Sequence, residues 1–77
     1  MNKVRRQRIK EAIDLIQQAN EILAEVGDEE EEAFDNMPES LQEGERGEQM
    51  QEYIDMIDEA NEAIDDLIGN LSEITEG

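Results

Sequence analysis

The sequence lacks the side chains that most often carry catalysis or bind transition metals. It has no cysteine and no histidine, which removes the thiolate nucleophile, the usual general base and the commonest zinc ligands. Its two serines, Ser40 and Ser72, have no evident base to activate them. The acidic run at 28–32 lacks the alternating ligands and central glycine of a calcium loop. We therefore expect a protein that is not an enzyme and needs no cofactor or metal.

Basic residues are scarce and confined almost entirely to one end. The chain has 6 Lys and Arg against 23 Asp and Glu, for a net charge of −17. Five of the six bases lie within the first ten residues, and past Lys10 only Arg46 remains. Soluble helical proteins usually mix both signs, because like charges repel one another in the folded state. The one-sided charge is therefore the best indicator of function.

Long hydrophobic runs are also missing. The basic start is not followed by the apolar segment of a signal peptide, since Glu11 and Asp14 interrupt it. No stretch approaches the length of a membrane span. The expectation from the sequence is a cytoplasmic protein.

Apolar residues instead recur with helical periodicity in two long segments. One series recurs every seven residues at Ile9, Ile16 and Leu23, and again at Met50, Ile57, Ile64 and Leu71. A second series follows three positions later, and we assign it to the other side of the same a/d interface. That second series is Ala12, Ala19, Val26, Ala33, Tyr53, Ala60, Leu67 and Ile74, with Ile13, Leu15, Ile22, Ile54 and Ile68 as flanking positions.

This pattern predicts an all-α fold, a long antiparallel helical hairpin in a single domain over residues 1–77. We expect helix 1 at about 4–36, a connector at 37–47 and helix 2 at about 48–75. Gly27 either bends helix 1 or ends it, and we favour one continuous helix. Pro38 ends that helix, because the residue before proline avoids helical geometry. A single helical turn over 38–42 is expected inside the connector.

The two segments resemble each other at an offset of 41 residues, since both contain the pattern E-x-I-D-x-I-x-x-A-N-E. An antiparallel hairpin of two similar helices has an approximate two-fold axis, which accounts for such a repeat. Asn20 and Asn61 occupy equivalent places beside the interface. They either set the helix register as buried polar residues do, or they are half-exposed flanking residues.

The carboxylates follow one another at helical spacing on the outer side of each segment. Successive carboxylates in such a row rise about 5 Å along the helix, a distance similar in scale to the 3.4 Å between DNA phosphates on one strand. A charged row is most often just a solvated helix face, but that does not explain its single sign. The rows are Glu11, Asp14, Glu21, Glu25, Asp28, Glu32 and Asp35, then Glu48, Glu52, Asp55, Glu59, Glu62 and Asp66.

The basic start has two interpretations. Cations at a helix N-terminus oppose the helix dipole, so they need another partner. In a hairpin they would lie beside the end of helix 2, and pairing with Asp65, Asp66, Glu73 and Glu76 is the favoured interpretation. The alternative is contact with nucleic acid or with the acidic body of a second copy.

The connector region holds the large apolar residues Phe34, Met37 and Leu41 among carboxylates. They either close the end of the hairpin or act as apolar anchors for a partner pocket, with acidic neighbours contacting its basic rim. The candidate partner-binding residues are Asp28, Glu29, Glu30, Glu31, Glu32, Phe34, Asp35, Met37, Glu39, Leu41, Glu48, Glu52 and Asp55.

The stretch from Glu32 to Gln42, followed by Glu45-Arg46-Gly47-Glu48, resembles a group of small acidic two-helix proteins of Firmicute genomes, phages and mobile elements. The shared pattern is E-A-F-D-N-[ML]-P-E-x-L-Q with R-G-E after it, and the likeness spans nearly the whole chain. The function of that group is uncharacterised and no residue role carries over from it. The resemblance implies a phage or mobile-element accessory protein.

These features lead to two hypotheses of different classes. The first is an inhibitor that occupies the basic nucleic-acid site of a host protein by acidic surface mimicry, with a restriction, CRISPR, nuclease or uracil-DNA glycosylase type of target. No direct nucleic-acid binding is expected, because −17 overall repels nucleic acid, and no membrane association is expected, because no stretch approaches the length of a membrane span. The second is a structural protein that dimerises into a four-helix bundle and has no nucleic-acid-related target.

Overall fold

A computed structural model describes all residues, Met1–Gly77, as two long helices joined by a short one. α1 spans Lys3–Asp35, α2 spans Glu39–Gln42 and α3 spans Glu45–Glu76. α1 and α3 pack along their length into a rod whose Cα atoms extend 58 × 15 × 13 Å. The predicted all-α hairpin is therefore confirmed. Neither long helix has a stretch apolar enough, over the length required, to cross a membrane.

Local signals account for where the helices begin and end. Asn2 caps α1, since its Oδ1 accepts a hydrogen bond from the Arg5 amide at 2.9 Å. α1 ends at Asp35, just before the Met37-Pro38 pair, and Pro38 starts the single turn of α2. α3 begins at Glu45 after Gly44, three residues earlier than the sequence indicated. The expected turn inside the connector and the continuous helix through Gly27 are both present.

One of the two apolar series was assigned to the wrong side of the helices. The series Ile9–Ile16–Leu23 does face α3, but its true complement lies four positions later rather than three. Ile13 and Ile54, expected only as flanking residues, are the most buried side chains, at 8% exposure each. The expected second series is exposed, apart from the half-buried Ala60. The reason is that Ile13 and Ile54 offer longer side chains to the interface than Ala12 does, while Tyr53 keeps its hydroxyl in water.

The helix interface follows a regular spacing of four and three residues, which we call the seam. Every one of its sixteen positions is buried or half-buried. Because 4–3 spacing is the a/d pattern of coiled coils, the hairpin is built on that pattern in a register different from the expected one. The seam positions are Ile9, Ile13, Ile16, Asn20, Leu23, Gly27, Glu30 and Phe34 in α1, and Met50, Ile54, Ile57, Asn61, Ile64, Ile68, Leu71 and Thr75 in α3.

Two contacts define how the helices are aligned. A Cβ added to Gly27 would lie 3.2 Å from Ile57 Cγ2, and the Asn20 Nδ2 donates to Asp65 Oδ1 at 2.9 Å. Residue numbers that face each other therefore add up to about 85. At this alignment the first turn of α1 extends beyond the end of α3. We call this end of the rod the base, and the end formed by 36–44 the tip.

The alignment corrects the expected pairing of the basic start. Asp65 bonds Asn20 instead, and it lies ten residues along the rod from Lys10, or about 15 Å. Asp66 is nearly as distant, and only Glu73 and Glu76 are level with Arg8 and Lys10. Lys3, Arg5 and Arg6 are level with the last residue of α3 or beyond it. Most of the cationic group therefore lies past the carboxylates with which it was expected to pair.

Candidate partner-binding surfaces

The sequence around the seam divides the rod into two chemically different faces. The residue after each seam position is polar or small at all sixteen places, and ten of those residues are carboxylates. Because each residue is rotated 100° about the helix axis from the one before, the residues that come directly after seam positions lie on the same side of the seam in both helices. They define the acidic face: Lys10, Asp14, Gln17, Glu21, Ala24, Asp28, Glu31 and Asp35 in α1, and Gln51, Asp55, Asp58, Glu62, Asp65, Gly69, Ser72 and Glu76 in α3.

The acidic faces of the two helices form one surface, because a groove joins them. The groove has a volume of about 210 Å³, and Asp28 and Glu31 of α1 line it together with Asp55 and Asp58 of α3. Gly27 and Ile57 also line it, at the point where the helices approach so closely that a Cβ on Gly27 would lie 3.2 Å from Ile57 Cγ2. All four carboxylates are exposed. Four carboxylates, two from each long helix, therefore lie around one concave site.

Basic residues are nearly absent from this part of the rod. Between residues 28 and 48 there are ten carboxylates and one base, Arg46. Electrostatic potential from such a one-signed group adds up over the surface and attracts cations. No group of three or more carboxylates is arranged to hold a metal ion.

The predicted acidic residues do not all share a surface. Asp28, Glu31 and Asp55 meet at the groove, whereas Glu29 falls on the opposite side of α1 and Glu30 occupies a half-buried seam position. A run of five consecutive carboxylates must spread around the helix at 100° per residue, which is why it splits. Glu32, Asp35, Glu39, Glu48 and Glu52 are exposed outside the groove.

Asp58 is a groove residue that the sequence reasoning missed. It lies directly after Ile57, as Asp55 lies after Ile54 and Asp28 after Gly27. The signal was present in the sequence, because each follows a seam position. The spacing of the carboxylates among themselves does not reveal it, because that spacing ignores their relation to the seam.

The apolar residues near the tip divide between packing and exposure. Phe34 occupies the last seam position of α1 and is half-buried, as is Met37. The Gln42 amide donates to the Phe34 carbonyl at 2.8 Å and ties α2 to the end of α1. Leu41 is 47% exposed. Phe34 and Met37 thus close the end of the hairpin, and Leu41 is the most accessible of the three.

Asn20 and Asn61 occupy the seam itself rather than positions beside it. Asn20 reaches across to Asp65, and the equivalent residue across from Asn61 is Ala24, which offers no partner. The Oδ1 atoms of both asparagines are buried without a hydrogen bond. A buried oxygen without a partner costs free energy in this alignment, so the contact that favours this register is the hydrogen bond from Asn20 to Asp65.

The opposite face of the rod is apolar. The residue before each seam position is apolar at twelve of sixteen places, and these residues lie across the seam from the carboxylate groove. Leu15 is 66% exposed, Ile22 59% and Met56 58%. We call this the apolar face: Ala12, Leu15, Ala19, Ile22, Val26 and Ala33 of α1, and Tyr53, Met56, Ala60, Ala63, Leu67 and Ile74 of α3, with Arg8, Glu29, Gln49 and Asn70 as its polar members.

The rod therefore presents an acidic face with a carboxylate groove and, on the other side, an unpartnered apolar face. Comparison with known proteins adds no further constraint, since no family model, curated protein or solved structure matches this chain.

Proposed function

We propose that the protein acts by binding, and that its acidic face occupies the cationic nucleic-acid site of another protein. The observation that carries this proposal is the meeting of Asp28 and Glu31 with Asp55 and Asp58 around one groove. Both long helices contribute carboxylates to this groove, and no Lys or Arg lines it. Catalysis is not part of the proposal, because the chain has no cysteine, histidine or activated serine.

The dimensions of the rod support mimicry of a nucleic-acid backbone. Carboxylates three or four residues apart on one helix are separated by about 5 Å, on the scale of phosphate spacing along a strand. Two such rows run along a rod whose Cα atoms span 58 Å in length and 15 Å in width. A basic cleft that evolved to hold phosphates would attract this surface through the same long-range field.

The proposed role is that of a phage or mobile-element accessory protein that inhibits a host enzyme acting on nucleic acid. A restriction, CRISPR, nuclease or uracil-DNA glycosylase type of target would present the required basic cleft. Leu41 at the tip would add an apolar contact, and the carboxylates beside it would contact the basic rim.

The experiment that tests this proposal measures binding and inhibition with a panel of purified DNA-acting enzymes. We expect one or more to bind the chain, to be inhibited by it, and to release it when DNA is added or when salt is raised from 50 to 300 mM. Reversal of the groove charges with Asp28→Lys and Asp55→Lys should weaken binding at least tenfold, equivalent to about 1.4 kcal/mol.

A matched variant separates the groove from overall charge. Glu25→Lys with Glu59→Lys changes the net charge by the same amount at a similar level of the rod, but both residues lie outside the groove and outside the acidic and apolar faces. We expect less than a threefold loss of affinity for this control. Equal losses in both variants would mean that net charge alone drives binding, and no inhibition across the panel would contradict the proposal.

The second candidate is a structural protein without a nucleic-acid-related target. The apolar face favours it, because a surface built only for mimicry has no need of exposed Leu15, Ile22 and Met56. Its signature would be self-association with no effect on any DNA-acting enzyme.

A further inference from the structure

The apolar face is too large to be incidental on a chain of this size. Only Ile13 and Ile54 are buried hydrophobic residues, so the hairpin alone has a very small core. Domains of this length are marginally stable without additional burial. Seven large apolar side chains on this face are at least 41% exposed: Leu15, Ile22, Val26, Tyr53, Met56, Leu67 and Ile74.

We propose that this face binds the same face of a second copy, with the two rods antiparallel, to form a four-helix bundle. The available area is sufficient. One face of the Cα envelope, 58 by 15 Å, amounts to roughly 870 Å². A stable protein interface of standard size takes about 800 Å² from each partner.

The shape of the face is self-complementary. On α1 the small residues Ala12 and Ala19 alternate with Leu15 and Ile22 along the stripe. On α3 the 41-residue repeat keeps a large residue at Met56 and a small one at Ala60, the counterparts of Leu15 and Ala19, whereas Tyr53 and Ala63 reverse the sizes of Ala12 and Ile22. A two-fold dimer requires one patch that fits itself, and the alternating large and small side chains of α1 can interdigitate with the same stripe of a second copy.

Charge selects the antiparallel orientation. The base carries Lys3, Arg5, Arg6, Arg8 and Lys10, and Arg8 belongs to the apolar face itself. The tip half, residues 28–48, carries ten carboxylates and one base. Parallel rods would place base against base and tip against tip. Antiparallel rods place each cationic base beside the acidic tip of the other copy, which gives the overhanging cations the partner that their own hairpin does not supply.

The dimer leaves both acidic grooves accessible. Because the apolar and acidic faces lie on opposite sides of the seam, the grooves end up on the two outer surfaces of the bundle. This inference does not depend on the proposed function: the dimer uses one face and binding to a cationic cleft uses the other.

Sedimentation equilibrium of the full chain tests the association. We expect a mass twice 8.8 kDa at 200 µM, retained at 0.5 M NaCl because apolar burial stabilises the interface. Ile22→Gln with Met56→Gln should weaken self-association at least a hundredfold. The control Glu21→Gln with Glu62→Gln makes changes on the acidic face and should leave it intact. A monomer at all concentrations up to 0.5 mM would overturn the proposal.

Orientation is tested separately with the interface unaltered. The chain has no cysteine, so Ser40→Cys places one spin label on each tip. Antiparallel rods put the two labels about as far apart as the rod is long, 58 Å. Parallel rods would bring them within about 30 Å, since packed helices lie 8–10 Å apart, and that result would overturn the antiparallel assignment. This measurement decides the question even if the double glutamine variant fails to fold.

The two proposals fail in different ways. Loss of self-association in the glutamine variant with inhibition retained would leave the proposed function intact. Conversely, a dimer that inhibits no DNA-acting enzyme would support the second copy as partner and contradict mimicry.

Discussion

At the scale of single residues, two glycines in α3 have opposite roles. Gly47 is buried in the first turn, and a Cβ placed there would collide with the Gln42 backbone. Gly69 lies in the helix interior with nothing within 4 Å of an added Cβ. The first glycine permits α2 to fold back against α3, whereas the second only weakens the helix.

Alanine substitution should therefore have opposite effects at these positions. We expect Gly47→Ala to lower the free energy of unfolding by about 2 kcal/mol, because backbone atoms must move to admit the methyl group. Gly69→Ala should raise it by up to about 1 kcal/mol through helix propensity. Urea unfolding followed by circular dichroism at 222 nm measures both. A stabilising Gly47→Ala would show that the α2–α3 contact is looser than described.

At the scale of whole elements, each long helix carries three stripes rather than two. The seam faces the other helix, the residues before it are mostly apolar and the residues after it are mostly acidic. A typical surface helix has one apolar and one polar side. The third stripe is what leaves the hairpin with an apolar face beyond its own interface.

Ile13 and Leu15 lie two residues apart on α1 and distinguish the stripes. Ile13→Ala should lower the free energy of unfolding by about 2 kcal/mol or more at every protein concentration, because it leaves a cavity in the seam. Leu15→Ala removes a side chain that is 66% exposed in the single hairpin. Its effect should vanish on dilution and grow with concentration, as expected for an interface between copies. Thermal unfolding at 2 and 200 µM makes the comparison, and a concentration-independent loss for Leu15→Ala would contradict the assignment.

At the scale of the whole molecule, charge opposes folding. A net charge of −17 on a rod only 15 Å wide in Cα extent concentrates like charges on every outer surface. Such self-repulsion destabilises the folded state and is screened by salt. The fold must therefore tolerate a field that does not stabilise it, which is consistent with a use for that field in binding.

Raising NaCl from 10 to 500 mM should increase the melting temperature by at least about 5 °C, because the Debye length falls from about 30 Å to a few ångströms. An uncharged osmolyte at matched osmolality controls for general solvent exclusion. Thermal melts by circular dichroism provide the measurement. A melting temperature that falls with salt would mean that ion pairs outweigh the repulsion.

Much of the architecture could be predicted from the sequence. Helical periodicity and Pro38 were enough to indicate two long helices, a continuous α1 through Gly27 and a turn in the connector. The error came at Ala12 and Ile13, which are adjacent and both apolar. Spacings of three and four residues are almost equally compatible with a helix, so periodicity alone did not distinguish them.

The candidate site was predictable only in part, for the same reason. The acidic residues were identified by type. Which of them meet at the groove depends on which side of the seam each one occupies. Asp28, Glu31 and Asp55 were named from the sequence, whereas Asp58 was not, and Glu29 and Glu30 turned out to point elsewhere.

By itself the sequence determined the helices, their order and the sign of the surface charge, because these depend on local propensity, spacing and composition. Only the tertiary structure decided which apolar stripe is buried, which carboxylates share a groove and which apolar side chains stay exposed. The physical reason is that a helix with two adjacent apolar stripes can bury either one of them. The choice is made by how well the side chains and the close approach at Gly27 fit the second helix.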